Sequence, residues 1–354
     1  MKTIKVFLGG YVNFLNAQNI NCRALSEHLD QERFEVWTML FWKQNSKDFE
    51  RVSGVHYLNS YRPVRFLGWL PYVIGIMCCD VAFLPKWEYD GLCRFISYIS
   101  GCRVFTTLEG ILDSEFLRNQ KNPAKVIERY RMYEPNLYSI TRYMARKEKE
   151  IHGLQCRDKT LYLGTETERF IKAPHEAKAL QNVVMIGNDL NRKKAAEFIE
   201  MAKLFPNITF HIVGGNNIEG LSTIDYIKKV SASNVNYHGL LDHSQLSTIL
   251  EQMDLMFFPS RSEGFPKVML ETACAGVPTL CYGDYGAEEW ITMGKDGFVV
   301  KTFDEAKSVI QNLAEHPEQL VELSKNAVEL GKRFDWRVLV KDWEEEIIRL
   351  SGKS

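Results

Sequence analysis

Much that would point to a function class is missing from this sequence. It has no basic excess: 44 lysines and arginines stand against 45 aspartates and glutamates, a net charge of −1. Proteins that neutralise many phosphates usually carry one, so no nucleic-acid partner is expected. No apolar run is long enough to cross a bilayer. The longest, Phe66 to Cys79, contains Pro71 and falls short of the roughly 20 residues required. The eight cysteines, at 22, 78, 79, 93, 102, 156, 274 and 281, form no CxxC pair and find no histidine at zinc-site spacing. The vicinal Cys78-Cys79 pair reads as buried thiols in a reducing compartment. The opening run, Met1 to Gly10, ends in glycines rather than at a small-residue cleavage site, so a cytoplasmic location is expected. There is no internal repeat or low-complexity tract, and no D-x-D pair to hold a metal diphosphate.

What is there is ordinary globular material in an informative order. The 354 residues, 45% hydrophobic and 25% charged, suit two domains. Short β-branched runs alternate with longer amphipathic stretches, the pattern of βαβ units on parallel sheets. In the first half, Ile4–Leu8, Phe34–Leu40, Asp80–Leu84, Arg103–Thr107 and Thr160–Leu163 read as strands. Helices are expected at Ala17–Leu29 and Gly91–Ile99, with a mostly helical stretch from Asp113 to Glu150. The alternation restarts with strands at Asn182–Ile186, Ile208–Val213, Val235–His238, Leu255–Pro259 and Thr279–Tyr282, and helices at Lys193–Leu204 and Lys267–Ala275. Gly164 and Pro174 bracket a polar linker, giving expected domains of 1–170 and 171–332. A C-terminal amphipathic helix occupies 333–354. Ligands bind at the carboxyl edge of open α/β sheets, phosphorylated ones at helix N-termini, so a nucleotide cleft between the domains is expected.

The segment from Phe258 to Glu271, reading FPSRSEGFPKVMLE, carries the most chemistry. A strand ends at Pro259, a loop follows, and a helix begins near Lys267, where free backbone N–H groups suit a phosphate or a sugar hydroxyl. Gly264 lets backbone approach a ligand. Glu263 and Glu271 can face one cleft at different depths, each carboxylate accepting two hydroxyls. A solvated glutamate and a helix-capping one explain the same spacing equally well.

The E-x7-E segment, followed by Ala275-Gly276-Val277-Pro278 and Gly286-Ala287-Glu288-Glu289, resembles the family 4 glycosyltransferases of the GT-B fold. Asn182–Lys193, Ile208–Gly215, Asn236–Gly239 and Asp254–Ser260 continue the likeness in order. Gly9-Gly10, Thr107–Gly110 and Gly164 to Phe170 extend it loosely into the first half. The resemblance implies two Rossmann-like domains facing each other across a cleft, the first binding acceptor and the second a nucleotide sugar, with the C-terminal helix crossing back to the first. It implies a retaining, metal-independent hexosyl transfer from a UDP- or GDP-type sugar to a hydroxyl of a saccharide or lipid-linked oligosaccharide, with no cofactor. Polysaccharide biosynthesis at the inner face of a membrane fits that chemistry.

By the same resemblance Glu271 binds the ribose hydroxyls, and Glu263, Gly264, Phe265 and Pro266 hold the donor sugar. Lys193, six residues beyond Gly187 and flanked by Arg192 and Lys194, contacts the diphosphate. Gly9 and Gly10 let loop amides approach phosphate and acceptor, and Gly239-Leu240 meets the nucleobase. Glu263, Glu109 and Lys193 are the catalytic candidates. Two positions depart from the family. Asn188 replaces an arginine beside the strand-end glycine and brings no charge to the diphosphate. Glu109 stands where a histidine is frequent. It can stabilise positive charge at the anomeric centre, accept the acceptor's proton, bind a hydroxyl, or merely hold its own loop. Those departures keep open an alternative, a catalytically inactive GT-B subunit that binds nucleotide or glycan for a partner transferase. An epimerase or a phosphorylase is not favoured by the E-x7-E block.

The remaining polar candidates read as structural. His211 and His238 are expected to be packed histidines. Arg142, Arg146, Lys147 and Lys149, offset by Glu148 and Glu150, suggest a solvated helix face. Trp69 with Arg62 and Arg65 suggests an ordinary amphipathic helix, with peripheral membrane contact as the alternative.

Overall fold

The computed structural model describes residues 3–14, 16–42, 49–60, 67–85, 89–112, 117, 122–173 and 179–353. The chain divides into two compact units, Met1–Gly164 joined by Trp336–Ser354, and Thr165–Asp335.

The first unit is built on β1 (Ile4–Tyr11), β2 (Phe34–Leu40), β3 (His56–Asn59), β4 (Val81–Phe83), β5 (Arg103–Leu108) and β6 (Leu137–Ser139), in the order β3-β2-β1-β4-β5-β6. Every neighbouring pair is parallel. Its helices are α1 (Ala17–His28), α2 (Leu70–Cys78), α3 (Asp90–Ser100), α4 (Pro123–Met132) and α5 (Arg142–His152). Seven of the eight residues of β1 are buried, the continuous apolar run expected of a strand covered on both faces. Asn16 starts α1 by accepting a hydrogen bond from the Asn19 amide at 2.8 Å.

The second unit repeats the plan with β7 (Asn182–Gly187), β8 (Thr209–Gly214), β9 (Val235–Gly239), β10 (Leu255–Phe258), β11 (Thr279–Tyr282) and β12 (Gly297–Val300), all parallel, in the order β12-β11-β10-β7-β8-β9. Its helices are α6 (Ala195–Leu204), α7 (Thr223–Lys229), α8 (His243–Leu250), α9 (Lys267–Cys274), α10 (Phe303–Glu315) and α11 (Gln319–Arg333). Phe198, Phe210, Phe257 and Tyr282 form its aromatic centre. Strand order reverses between β1 and β4 in one unit and between β7 and β10 in the other. Those reversals open crevices at the carboxyl ends of the strands.

At Trp336 the chain returns to the first unit as α12 (Trp336–Ser351), as expected for the C-terminal helix. Trp343 is fully buried there, 5.1 Å from the Phe83 ring, and donates to the Tyr162 carbonyl at 3.1 Å. Lys159 pairs with Asp342 and Glu345, and the Tyr138 hydroxyl donates to Glu346 at 2.5 Å while accepting from Arg349. The helix is held by apolar burial and by ion pairs at its rim.

Several local expectations need correction. Thr160–Leu163 is not a strand. Leu161 and Arg157 donate to Ser139 and Leu137, four residues apart on one side and two on the other, so no ladder register forms. Three short strands escaped the sequence: β3, β6 and β12 hold three or four residues each at or beside sheet edges, too few for periodicity to show. The helix expected from Lys193 begins at Ala195, because Lys194 adopts a left-handed conformation at φ 59°. Cys78 is exposed on the last turn of α2, and only Cys79 of the vicinal pair is buried. Glu148 does not offset the basic face of α5: it is fully buried and accepts from the Leu112 amide at 2.7 Å. Arg62 and Arg65 lie outside the described residues. Among those described, no helix is long and apolar enough to cross a membrane.

Candidate active site

The switch point of the second unit gathers the charged residues singled out above. After β7 the chain turns through Gly187 to Arg192 and Lys193, and after β10 it runs through Ser260 to Glu263. Lys193 Nζ lies 2.7 Å from Glu263 Oε1, and Arg192 Nη1 lies 3.1 Å from the same oxygen. Ser260 Oγ donates to it at 2.5 Å. The side chains of Lys193 and Glu263 are 10% and 7% exposed, so this ion pair is largely withdrawn from water. Burial pulls the Lys193 ammonium below the ordinary lysine range. Glu263 opposes that pull and Arg192 adds to it.

Local geometry fixes Lys193 closely. A Cβ on Gly187 would come within 2.8 Å of Lys193 Cγ, so the strand-end glycine makes room for the lysine stem. The ammonium sits 4.5 Å from the centre of the Phe258 ring, a cation–π contact. Arg192 is anchored separately, donating to the Ser262 carbonyl at 2.6 Å. Asn188 is exposed, and its side chain has no hydrogen-bond partner among the described residues.

Helix α9 opens onto the same loop. Pro266 precedes it and no side chain caps its first turn, which leaves the cationic end of the helix to the loop itself. Phe265 points inward against Trp290 and Phe334, with ring centres 4.9 and 5.5 Å away, so this residue offers a ligand its backbone rather than its ring. Glu271 lies one turn inside α9. Burial pushes its carboxyl above the usual range, against the pull of His243 and Lys267. His243, at the start of α8, was not foreseen: it is distant in sequence and its spacing carries no signal. Ser260 was quoted but given no role, although a hydroxyl three residues before a loop glutamate was the available clue.

The other expected positions lie outside this cluster. Gly239 has φ 72° at the end of β9, and Leu240 beside it is 71% exposed. Gly9 and Gly10 lie within β1, where a Cβ would meet Leu84 Cδ2 at 2.9 Å and Cys22 Sγ at 2.7 Å, so packing alone demands glycine there. Glu109 belongs to the first unit, at the end of β5, where its carboxylate accepts from Thr107 Oγ1 at 3.0 Å and Asn21 Nδ2 at 3.5 Å. His211 is packed as expected, but His238 is exposed near the end of β9, stacked on His211 at 13° and joined to it by a 2.9 Å nitrogen contact. Among the described residues, no trio of His, Cys, Asp or Glu ligand atoms gathers at the Lys193–Glu263 cluster.

Comparison with known proteins shows what the unit holding this arrangement is similar to. The family model for group 1 glycosyl transferases matches residues 166–330, the unit that holds the cluster. Through that unit the chain is similar to the group 1 glycosyl transferases. An uncharacterised 41.2 kDa protein in the cps region of Klebsiella pneumoniae is 27% identical over 38% of this chain and 36% of its own length. The N,N'-diacetylbacillosaminyl-diphospho-undecaprenol alpha-1,3-N-acetylgalactosaminyltransferase of Campylobacter jejuni is 26% identical over 45% of this chain and 42% of its own. The chain thus spans less than half the length of these curated relatives. HepE of Anabaena, solved with UDP and glucose, superposes with a TM-score of 0.73 at 16% identity, covering 98% of this chain and all of that one. That likeness establishes the GT-B fold for the whole chain.

Proposed function

We propose that this chain is a group 1 glycosyltransferase that moves a hexosyl group from a UDP- or GDP-linked sugar to a hydroxyl of a glycan or lipid-linked acceptor, with retention at the anomeric carbon. The observation that carries the reading is the buried Lys193–Glu263 pair with Arg192 at the switch point, beside the start of α9. Two cations next to a helix N-terminus suit a diphosphate, and a carboxylate among them suits sugar hydroxyls. The solved relative holding UDP and glucose, and the Campylobacter relative whose name specifies a diphospho-undecaprenol acceptor, support the same classes of donor and acceptor.

In this reading Lys193, Arg192 and the amide of Lys267 at the start of α9 hold the diphosphate, and the loop from Gly264 to Pro266 lies along the donor sugar. As the bond from the anomeric carbon to the β-phosphate oxygen breaks, these groups stabilise the charge gathering on that oxygen. The acceptor oxygen bonds to the anomeric carbon from the same face and passes its proton to the departing phosphate. Glu271 accepts the ribose hydroxyls, and Glu263 accepts from the sugar. Glu109 accepts a hydroxyl at the acceptor end.

The test is nucleotide release from UDP-glucose, UDP-galactose, UDP-N-acetylglucosamine and GDP-mannose, with and without saccharide and undecaprenyl-diphosphate acceptors. The anomeric configuration of any product is then read by NMR. Release of one nucleotide, accelerated by one acceptor, with an α-linked product from an α-linked donor, is expected. Tight binding without release across the panel would instead make the chain an inactive donor-binding subunit.

A further inference from the structure

The two oxygens of Glu263 are in different circumstances. Oε1 receives three donors: Lys193 Nζ at 2.7 Å, Arg192 Nη1 at 3.1 Å and Ser260 Oγ at 2.5 Å. Among the described residues none donates to Oε2, although the side chain is only 7% exposed. Oε2 therefore stays open to solvent or to a ligand on the side away from the three donors. The arrangement also departs from what two cations alone would favour. A lysine and an arginine sharing one carboxylate lower their mutual repulsion by dividing between its two oxygens.

Ser260 accounts for the crowding. It is fully buried directly after β10, and its hydroxyl fixes the position of Oε1 from the strand side. Arg192 Nη1 is also held by the Ser262 carbonyl at 2.6 Å, and the Lys193 stem is confined by Gly187 and the Phe258 ring. With all three donors fixed on one side, the carboxylate has a single rotation that satisfies them.

The geometry points to Ser260 as a positioning residue that divides the labour of Glu263: Oε1 is committed to the Lys193–Arg192 pair, and Oε2 is the one oxygen presented to a donor-sugar hydroxyl. This assignment rests on the nucleotide-sugar reading of the site and deepens it. Ser260 touches no ligand; it acts through Glu263 alone. Glu263 thus takes one sugar hydroxyl rather than the two its charge would allow.

The test compares the affinity of the best nucleotide sugar from the panel above with that of its parent nucleotide, by calorimetry on the full chain. In Ser260→Ala the carboxylate can rotate and share both oxygens with the cations. The preference for the sugar-bearing ligand is expected to fall about tenfold while the bare nucleotide binds as before. Ser260→Thr, which keeps the hydroxyl, is expected to restore the preference. In a Glu263→Ala background, Ser260→Ala is expected to change nothing further, whereas a merely structural serine would weaken both backgrounds alike. Thermal melts confirm folding. An unchanged preference in Ser260→Ala, or an undiminished effect without Glu263, overturns the assignment alone. A wild-type chain that binds no nucleotide and no nucleotide sugar overturns the site reading and this assignment together.

Discussion

Replacing Glu263 by glutamine separates two things that most substitutions at this site would confound. In the wild-type cluster two cations share one carboxylate, leaving one positive charge; glutamine leaves two. Its carbonyl oxygen can still accept from Ser260 and Lys193, so the fold loses less than the 3–5 kcal/mol typical of breaking a buried pair, about 1–2 kcal/mol. The freed cations then face an incoming diphosphate without an internal competitor. Affinity for bare UDP or GDP is expected to rise about three- to tenfold, the scale of one charge-assisted contact. Turnover of the nucleotide sugar is expected to fall by about two orders of magnitude, because the oxygen that orients the sugar has become a weaker acceptor or a donor. Calorimetry with the nucleotide and initial rates with the nucleotide sugar read the two effects separately. Opposite signs are the signature. If nucleotide affinity and turnover fall together, the cations do not face a diphosphate and the reasoning is refuted.

Four further outcomes follow from the same geometry. Gly187→Ala should displace the Lys193 stem, since the new Cβ would sit 2.8 Å from Cγ; turnover should drop at least tenfold for a stability loss of about 1–2 kcal/mol, and an unaffected rate would clear Gly187 of that role. Trp343→Ala, which empties a fully buried site between α12 and the first sheet, should cost about 3–5 kcal/mol in urea denaturation; a loss below about 1 kcal/mol would mean α12 is not part of that core. Burial, with His238 beside it, holds His211 down to about 4 from an ordinary value of 6.5. The unfolded chain therefore binds the proton first as pH falls, and up to about 3 kcal/mol of stability should disappear between pH 6.5 and 4. His211→Asn should flatten that slope, and an equally steep slope in the variant would assign it elsewhere. The raised Glu271 carboxyl works with the opposite sign for stability, the folded form holding its proton to higher pH. Nucleotide KM should accordingly rise as acid neutralises it, and Glu271→Ala should remove that dependence along with much of the affinity; unchanged affinity in the variant would refute the ribose assignment.

Much of the fold was legible because parallel strands buried on both faces announce themselves. VVMI in β7 and LMFF in β10 are continuous apolar runs, each followed by a glycine or proline turn. The strands that were missed, such as β6 with its three residues, are defined by a neighbour rather than by their own pattern. The cluster was readable in outline: Lys193, Arg192 and Glu263 were named from the family resemblance, and the structure brings them to one oxygen. Spacing did not reveal that Gly187 exists for the lysine stem or that Phe265 turns its ring inward, because both facts depend on neighbours far away in sequence. The role of Ser260 was hinted at only by its place three residues before Glu263. A serine after a strand looks like loop polarity until its burial and its partner are known.

The most direct test of the account is the structure of the chain crystallised with the nucleotide sugar selected by the panel. The account predicts diphosphate oxygens within about 3 Å of Lys193 Nζ and of the amides opening α9, ribose hydroxyls on Glu271, and a sugar hydroxyl on Glu263 Oε2. A nucleotide sugar bound elsewhere, with the Lys193–Glu263 pair untouched, would contradict it.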